Sequence, residues 1–118
     1  MIVGDTFAKI LAVQTVKEQI TEHIIIHVSV AMNVPKEDLI LTKRKHSISH
    51  ARSLCYYLLK KHACLSFRQI GKFFEVDASL VHRKCHEIES YYKGKHYPDI
   101  WKTIDLIELS LKERSYSN

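Results

Sequence analysis

Between Ser66 and Tyr92, apolar residues recur at helical spacing in two runs separated by only a few polar positions. In the first run Phe67, Ile70 and either Phe73 or Phe74 supply one buried stripe, and Ser66 followed by Gln69 forms a capping box that starts the helix. In the second, at about 100° per residue, Val81, Cys85, Ile88 and Tyr92 fall within one narrow arc, with Asp77 as N-cap. Ser79, Arg83, His86 and Ser90 gather on the opposite side. Two amphipathic helices joined by so short a turn predict a helix-turn-helix over 66–92, the apolar arc of its second helix facing a core. The outer arc is short and polar at its start and cationic further on, which suits a helix lying in a DNA major groove with its first turns against base edges.

The rest of the pattern predicts an all-α fold, one compact helical domain over 1–118. Asp5 caps a first helix through Phe7, Ile10, Leu11, Val13 or Gln14, and Val16 to about residue 21. The following stretch to Met32 is rich in β-branched residues (Ile24, Ile25, Ile26, Val28, Val30), which lowers its intrinsic helix propensity. Two readings stay open there, a separate second helix or one continuous helix. Pro35 restricts Val34 and ends this region, and a short helical turn follows to Leu39 or Ile40. Residues 42–46 read as a basic loop. A helix from Ser47 or Ser49 to His62 then buries Ile48, Ala51, Leu54, Cys55, Leu58 and Leu59. Gly94 to Tyr97 breaks the chain, and Pro98 opens a last helix with Ile100, Trp101, Ile104, either Leu106 or Ile107, and Leu111 as contacts. Residues 1–23 form an N-terminal helical extension that either completes the core or pairs with a second copy (a homodimer) or a protein partner.

Charge sharpens the picture once it is divided along the chain. Residues 42–96 hold 12 Lys and Arg against 4 Asp and Glu, a surplus of +8, which leaves −3 for the remainder of a chain whose total is +5. A concentrated basic block points to a polyanion as partner. No apolar run approaches about 18 residues, so no membrane span is expected. The first residues lack the pattern of a secretory signal, and three cysteines, an odd number, read as reduced thiols, so the expected location is cytoplasmic. Glu87 and Glu89 are two apart on a helix and diverge, so no enzyme activity is expected. His82, Cys85 and His86 share a helix, but Cys85 turns to the core arc and His86 lies about 100° away, so neither metal nor other cofactor is expected.

From about Ile24 to Leu111 the chain resembles the C-terminal DNA-binding domain of the bacterial replication initiator DnaA, a helix-turn-helix domain of the Trp-repressor-like class. The carrying residues are the Val28-x-x-x-x-Asn33-Val34-x-x-x-Asp38-Leu39 run, the loop Lys43-Arg44-Lys45, Ala51-Arg52 with Tyr57-Leu58, the stretch Leu65 to Phe74, the turn into Asp77, and Cys85-x-x-Ile88-Glu89. The resemblance implies that the basic loop, here Arg44 and Lys45, reaches phosphates and a minor groove. It further implies that Arg52 contacts DNA and that Ala78, Ser79 and Leu80 read the major groove with Val81 packing behind. Two departures stand out. Asp77-Ala78-Ser79-Leu80-Val81 lacks the His and the second hydroxyl usual after this Asp, and the turn Glu75-Val76 is one residue shorter than the Gly-rich turn of the family. A missing base-edge partner costs about 1–3 kcal/mol of discrimination, so a different target sequence is expected. A positive φ at Glu75 would carry roughly 1 kcal/mol of strain. The chain has no G-x-x-x-x-G-K-[ST] loop, so the module is expected to work without the ATPase motor of initiators.

The expected function is therefore sequence-preferring binding of double-stranded DNA, in replication initiation or transcription regulation. Lys43, Arg44, Lys45, Arg52 and Arg68 are the candidate backbone contacts, and Asp77, Ala78, Ser79, Leu80, His82, Arg83 and His86 the candidates at the reading helix. The alternative is a protein-interaction module on the same scaffold without DNA binding.

Overall fold

A computed structural model of the chain describes the backbone of residues 3–41 and 46–114 and the side chains of 15–41 and 48–114. The described residues form six helices and no strand: α1 (Val3–Met32), α2 (Lys36–Ile40), α3 (His46–His62), α4 (Phe67–Phe74), α5 (Ala78–Lys93) and α6 (Pro98–Arg114). The chain is all-α, and the two open readings of its first third resolve to one helix of 30 residues. The β-branched stretch stays helical because Ile24, Ile25 and Val28 are buried against other helices, and tertiary packing outweighs weak propensity. α1 stops where Asn33 turns left-handed at φ 54 and the Val34 N–H donates back to the Ser29 carbonyl over 3.0 Å. Pro35 follows directly.

α3 occupies the centre and packs against all five other helices. Ile48, Ala51, Leu54, Cys55, Leu58 and Leu59 are buried as their spacing predicts, and Ser53 and Tyr56 are buried with them. The Ser53 hydroxyl donates to the Ser49 carbonyl at 2.9 Å, which satisfies it inside the core. α6 contributes Ile100, Ile104, Ile107 and Leu111, so the ambiguous pair resolves to Ile107 inward and Leu106 outward at 66% exposure. From α1 the described core residues are Ile24, Ile25 and Val28, with Ile20 half-buried beside them. This part of α1 completes the core. The side chains of Phe7, Ile10, Leu11 and Val13 lie outside the described residues. Among the described residues no helix is long and apolar enough to cross a membrane.

Two polar devices hold α6 in place. Glu108 accepts from Lys61 at 2.6 Å and from His62 at 2.7 Å at the end of α3. Burial pushes the Glu108 carboxyl up, but the hydrogen bonds from Lys61 and His62 more than offset this and hold it below its ordinary value. On the other side His23 of α1 meets the Ser110 hydroxyl oxygen at 2.8 Å and stacks on His27 with ring centroids 4.0 Å apart. The Ser110 hydroxyl donates to the Ile107 carbonyl, so the His23 Nε2 must be the donor to its oxygen. Burial, then the neighbouring His27 and Arg114, hold His23 below its ordinary value of 6.5.

These shifts give stability a definite pH dependence. Below pH 6.5 the unfolded chain protonates His23 more readily than the folded chain does, so folding stability falls as pH drops from 7 toward 5. The Glu108 contribution is present above 4.5 and is lost as pH falls further through its lowered folded value. Denaturant melts across this range should show both losses, and His23→Gln should remove the first of them. An unchanged profile in that variant would exclude His23 as its source.

Helix ends in this chain use left-handed residues other than glycine: Asn33, Cys64, Glu75 and Lys95 all have φ between 54 and 57. Cys64 is exposed and sits where α3 gives way to the Ser66 cap. Glycine adopts this conformation without the Cβ clash, so Cys64→Gly should raise stability by about 0.5–1 kcal/mol, read as a higher denaturation midpoint. A lower midpoint would mean that the thiol packs usefully.

Candidate nucleic-acid interface

The local chemistry of α4 fixes the geometry of everything that follows it. The Gln69 N–H donates to the Ser66 hydroxyl at 3.1 Å and the Ser66 N–H donates to the Gln69 side chain at 2.8 Å, a complete capping box. Ile70 and Phe74 point into the core, whereas Phe73 is 42% exposed. At the end of α4, Glu75 adopts φ 57 and ψ 47, so the chain carries the strain expected of a side chain where glycine is usual. The Val76 N–H then donates to the Gly71 carbonyl at 2.8 Å.

Gly71 permits this tight turn through its lack of a side chain. A Cβ there would lie 2.6 Å from the Val76 carbonyl oxygen and 3.3 Å from the Ala78 nitrogen, both backbone atoms that cannot swing away. The turn delivers the chain to Asp77, whose backbone takes the N-cap conformation of α5 but whose side chain makes no capping hydrogen bond. The position of this cap agrees with the sequence pattern, and the usual side-chain bond is missing.

α5 presents its faces as the spacing predicts. Val81, Cys85 and Ile88 are buried and Tyr92 is half-buried, while Ser79, Arg83, His86 and Ser90 are exposed. Arg83 makes no ion pair among the described residues, whereas the acids of this helix are occupied: Lys84 meets Glu87 at 3.3 Å and Lys93 meets Glu89 at 3.1 Å. The exposed cation on the crest is thus not neutralised by its own helix.

The sequence-predicted residues divide into three groups around this crest. Arg52, Arg68, Asp77, Ala78 and Leu80 line one cleft of about 820 Å³ beside the turn, together with Lys72 and Glu75. His82 and His86 line a second groove on the opposite flank of α5. Ser79 and Arg83 stand on the exposed ridge of the helix. Lys43, Arg44 and Lys45 lie outside the described residues. Lys72 was not among the expected site residues, although its i,i+4 spacing from Arg68 on α4 is a readable signal.

Arg52 has a structural engagement that no sequence pattern announces. Its Nη2 donates to the Phe74 carbonyl at 3.0 Å, its guanidinium lies 5.6 Å from the centre of the Phe74 ring, and its Nε is buried without a hydrogen-bond partner. The neighbouring groups stay neutral: burial pushes the Cys55 thiol up to about 12 and raises the Tyr56 hydroxyl, outweighing the opposite pull of Arg52. Arg52 therefore pins the end of α4 while keeping its positive charge beside the cleft.

The family described as bacterial DnaA protein helix-turn-helix matches residues 21–88, more than half of the chain. The matched span runs from the later part of α1 to Ile88 in α5. No curated protein matches the chain.

Proposed function

The chain belongs to the bacterial DnaA helix-turn-helix family, and on that footing we propose that it binds double-stranded DNA with sequence preference, in replication initiation or transcription regulation. The observation that carries this reading is the ridge of α5. Ser79 and Arg83 stand exposed on a helix whose opposite side, Val81, Cys85 and Ile88, is anchored in the core. A reading helix needs that combination, because discrimination between bases requires donors held in fixed positions.

In this mechanism α5 enters the major groove. Arg83, with Ser79 and His82, meets base edges, and Ala78 or Leu80 meets thymine methyl groups. Arg52, Arg68 and Lys72 at the cleft, with Lys43, Arg44 and Lys45 of the loop, neutralise phosphates, Arg44 and Lys45 also reaching toward a minor groove. His86 and Asp77 flank the contact and tune its charge.

Selection from a random duplex library, followed by binding titrations on the retained sequences, tests the reading directly. Arg83→Ala should weaken the selected site by about 1–3 kcal/mol and relax its specificity. Lys45→Ala should weaken all duplexes more evenly and flatten the salt slope by about one unit. Parent-like binding by both variants would refute this DNA face, and a library that enriches nothing would favour the protein-interaction module.

A further inference from the structure

The groove on the far flank of α5 has a composition that backbone phosphates do not call for. It is an open groove of about 500 Å³ between the end of α3, the start of α4 and the outer side of α5, a volume within the range of roughly 300–1,000 Å³ typical of small-molecule sites. Its walls are aromatic: Tyr57, Phe67 and Tyr92 are half-buried there, and the His82 ring meets Phe67 edge-on at 4.9 Å. Three ammonium groups surround these rings, but two are occupied. Lys61 is held by Glu108 at 2.6 Å and Lys93 by Glu89 at 3.1 Å. Lys60 makes no ion pair among the described residues, and its ammonium stands 5.0 Å from the centre of the Phe67 ring.

Edge-on aromatic walls beside a cation that makes no ion pair among the described residues, only a cation–π contact with Phe67, are complementary to a flat ring that carries one anionic group. We infer that this groove binds a small aromatic carboxylate, its ring against Phe67 and His82 and its anion on Lys60, and that occupancy weakens DNA binding. The coupling follows from the shared wall. His82 and His86 belong both to the groove and to the outer side of the reading helix, so an anion seated there opposes approaching phosphates. Binding is non-covalent, since burial pushes the thiol of Cys85, at the groove wall, up to about 11 against the pull of Lys60, leaving it protonated near neutral pH. The coupling rests on the DNA-binding reading, whereas the site itself does not.

Indole-3-acetate is a suitable probe, with indole and acetate as the two halves of its chemistry. Titrated into the 118-residue chain and followed by amide NMR shifts, it should perturb Lys60, Phe67, His82 and Cys85 saturably. Indole or acetate alone should bind at least about tenfold more weakly. Lys60 is exposed and makes no ion pair among the described residues, so Lys60→Met breaks none and should lower affinity for the probe about tenfold. Phe67→Leu, which keeps an apolar contact but removes the ring, should lower it as well. Equal response to indole, or unchanged affinity in Lys60→Met, would overturn the site. In duplex titrations probe held at its Kd for the parent should raise the parent's duplex Kd and leave that of Lys60→Met nearly unchanged, and a parent Kd unchanged even at saturating probe would overturn the coupling. If no duplex binds even at low salt, the DNA reading fails while the NMR shifts still decide the site.

Discussion

Truncating Phe74 to alanine should cost about 3–5 kcal/mol of folding stability, the range for removing a fully buried phenylalanine. Phe74 has no solvent exposure, meets Tyr56 edge-on at 5.0 Å, and carries both the carbonyl and the ring that Arg52 grips. Its loss opens a cavity where α3 and α4 meet, immediately before the strained Glu75. Phe73→Ala is the natural contrast, because that ring is partly exposed and should cost under about 1 kcal/mol. Denaturant unfolding of the two variants checks both values. Similar losses for both would mean that the neighbouring rings share the core position.

Affinity for random duplex DNA should fall about a thousandfold between 50 and 200 mM salt, corresponding to about six phosphate contacts and a log-log slope near −5. On the proposed DNA face, Arg52, Arg68, Lys72 and the cations Lys43, Arg44 and Lys45 would supply contacts in this number. Arg52 enters that set with one nitrogen already bound to Phe74, so Arg52→Lys separates its two duties. Lysine keeps the charge but not the fork that holds the carbonyl, so the variant should retain the slope and lose stability. A slope shallower than about −1 would leave the basic block without a nucleic-acid role.

Much of this arrangement is legible because α5 is amphipathic in the simplest way. Val81, Cys85 and Ile88 recur at three- and four-residue spacing, so the exposed positions Ser79, Arg83 and His86 follow by subtraction. The Ser66–Gln69 cap and the left-handed Glu75 are local effects, and local effects leave local signals. Where neighbouring apolar residues compete, periodicity alone cannot choose: Phe73 against Phe74 and Leu106 against Ile107 are decided by what packs on them. The continuity of α1 is a tertiary outcome as well, since its β-branched residues gain their helical state from burial. The hold of Arg52 on a carbonyl 22 residues away, and the gathering of Tyr57, Lys60, Phe67 and His82 from three helices, depend on distances that no spacing rule encodes.

The central place of α3 bears on how this molecule comes apart. Every other helix leans on it, so withdrawing α3 leaves no sub-assembly with a sealed interior. Unfolding is therefore expected as one all-or-none transition, with calorimetric and van't Hoff enthalpies in agreement. Amide protons in the middle of α3, around Leu54 to Leu58, should exchange only through global opening, and their rates would then report the stability of the whole fold. A partly melted form that still offers a rigid ridge to DNA has no scaffold to stand on.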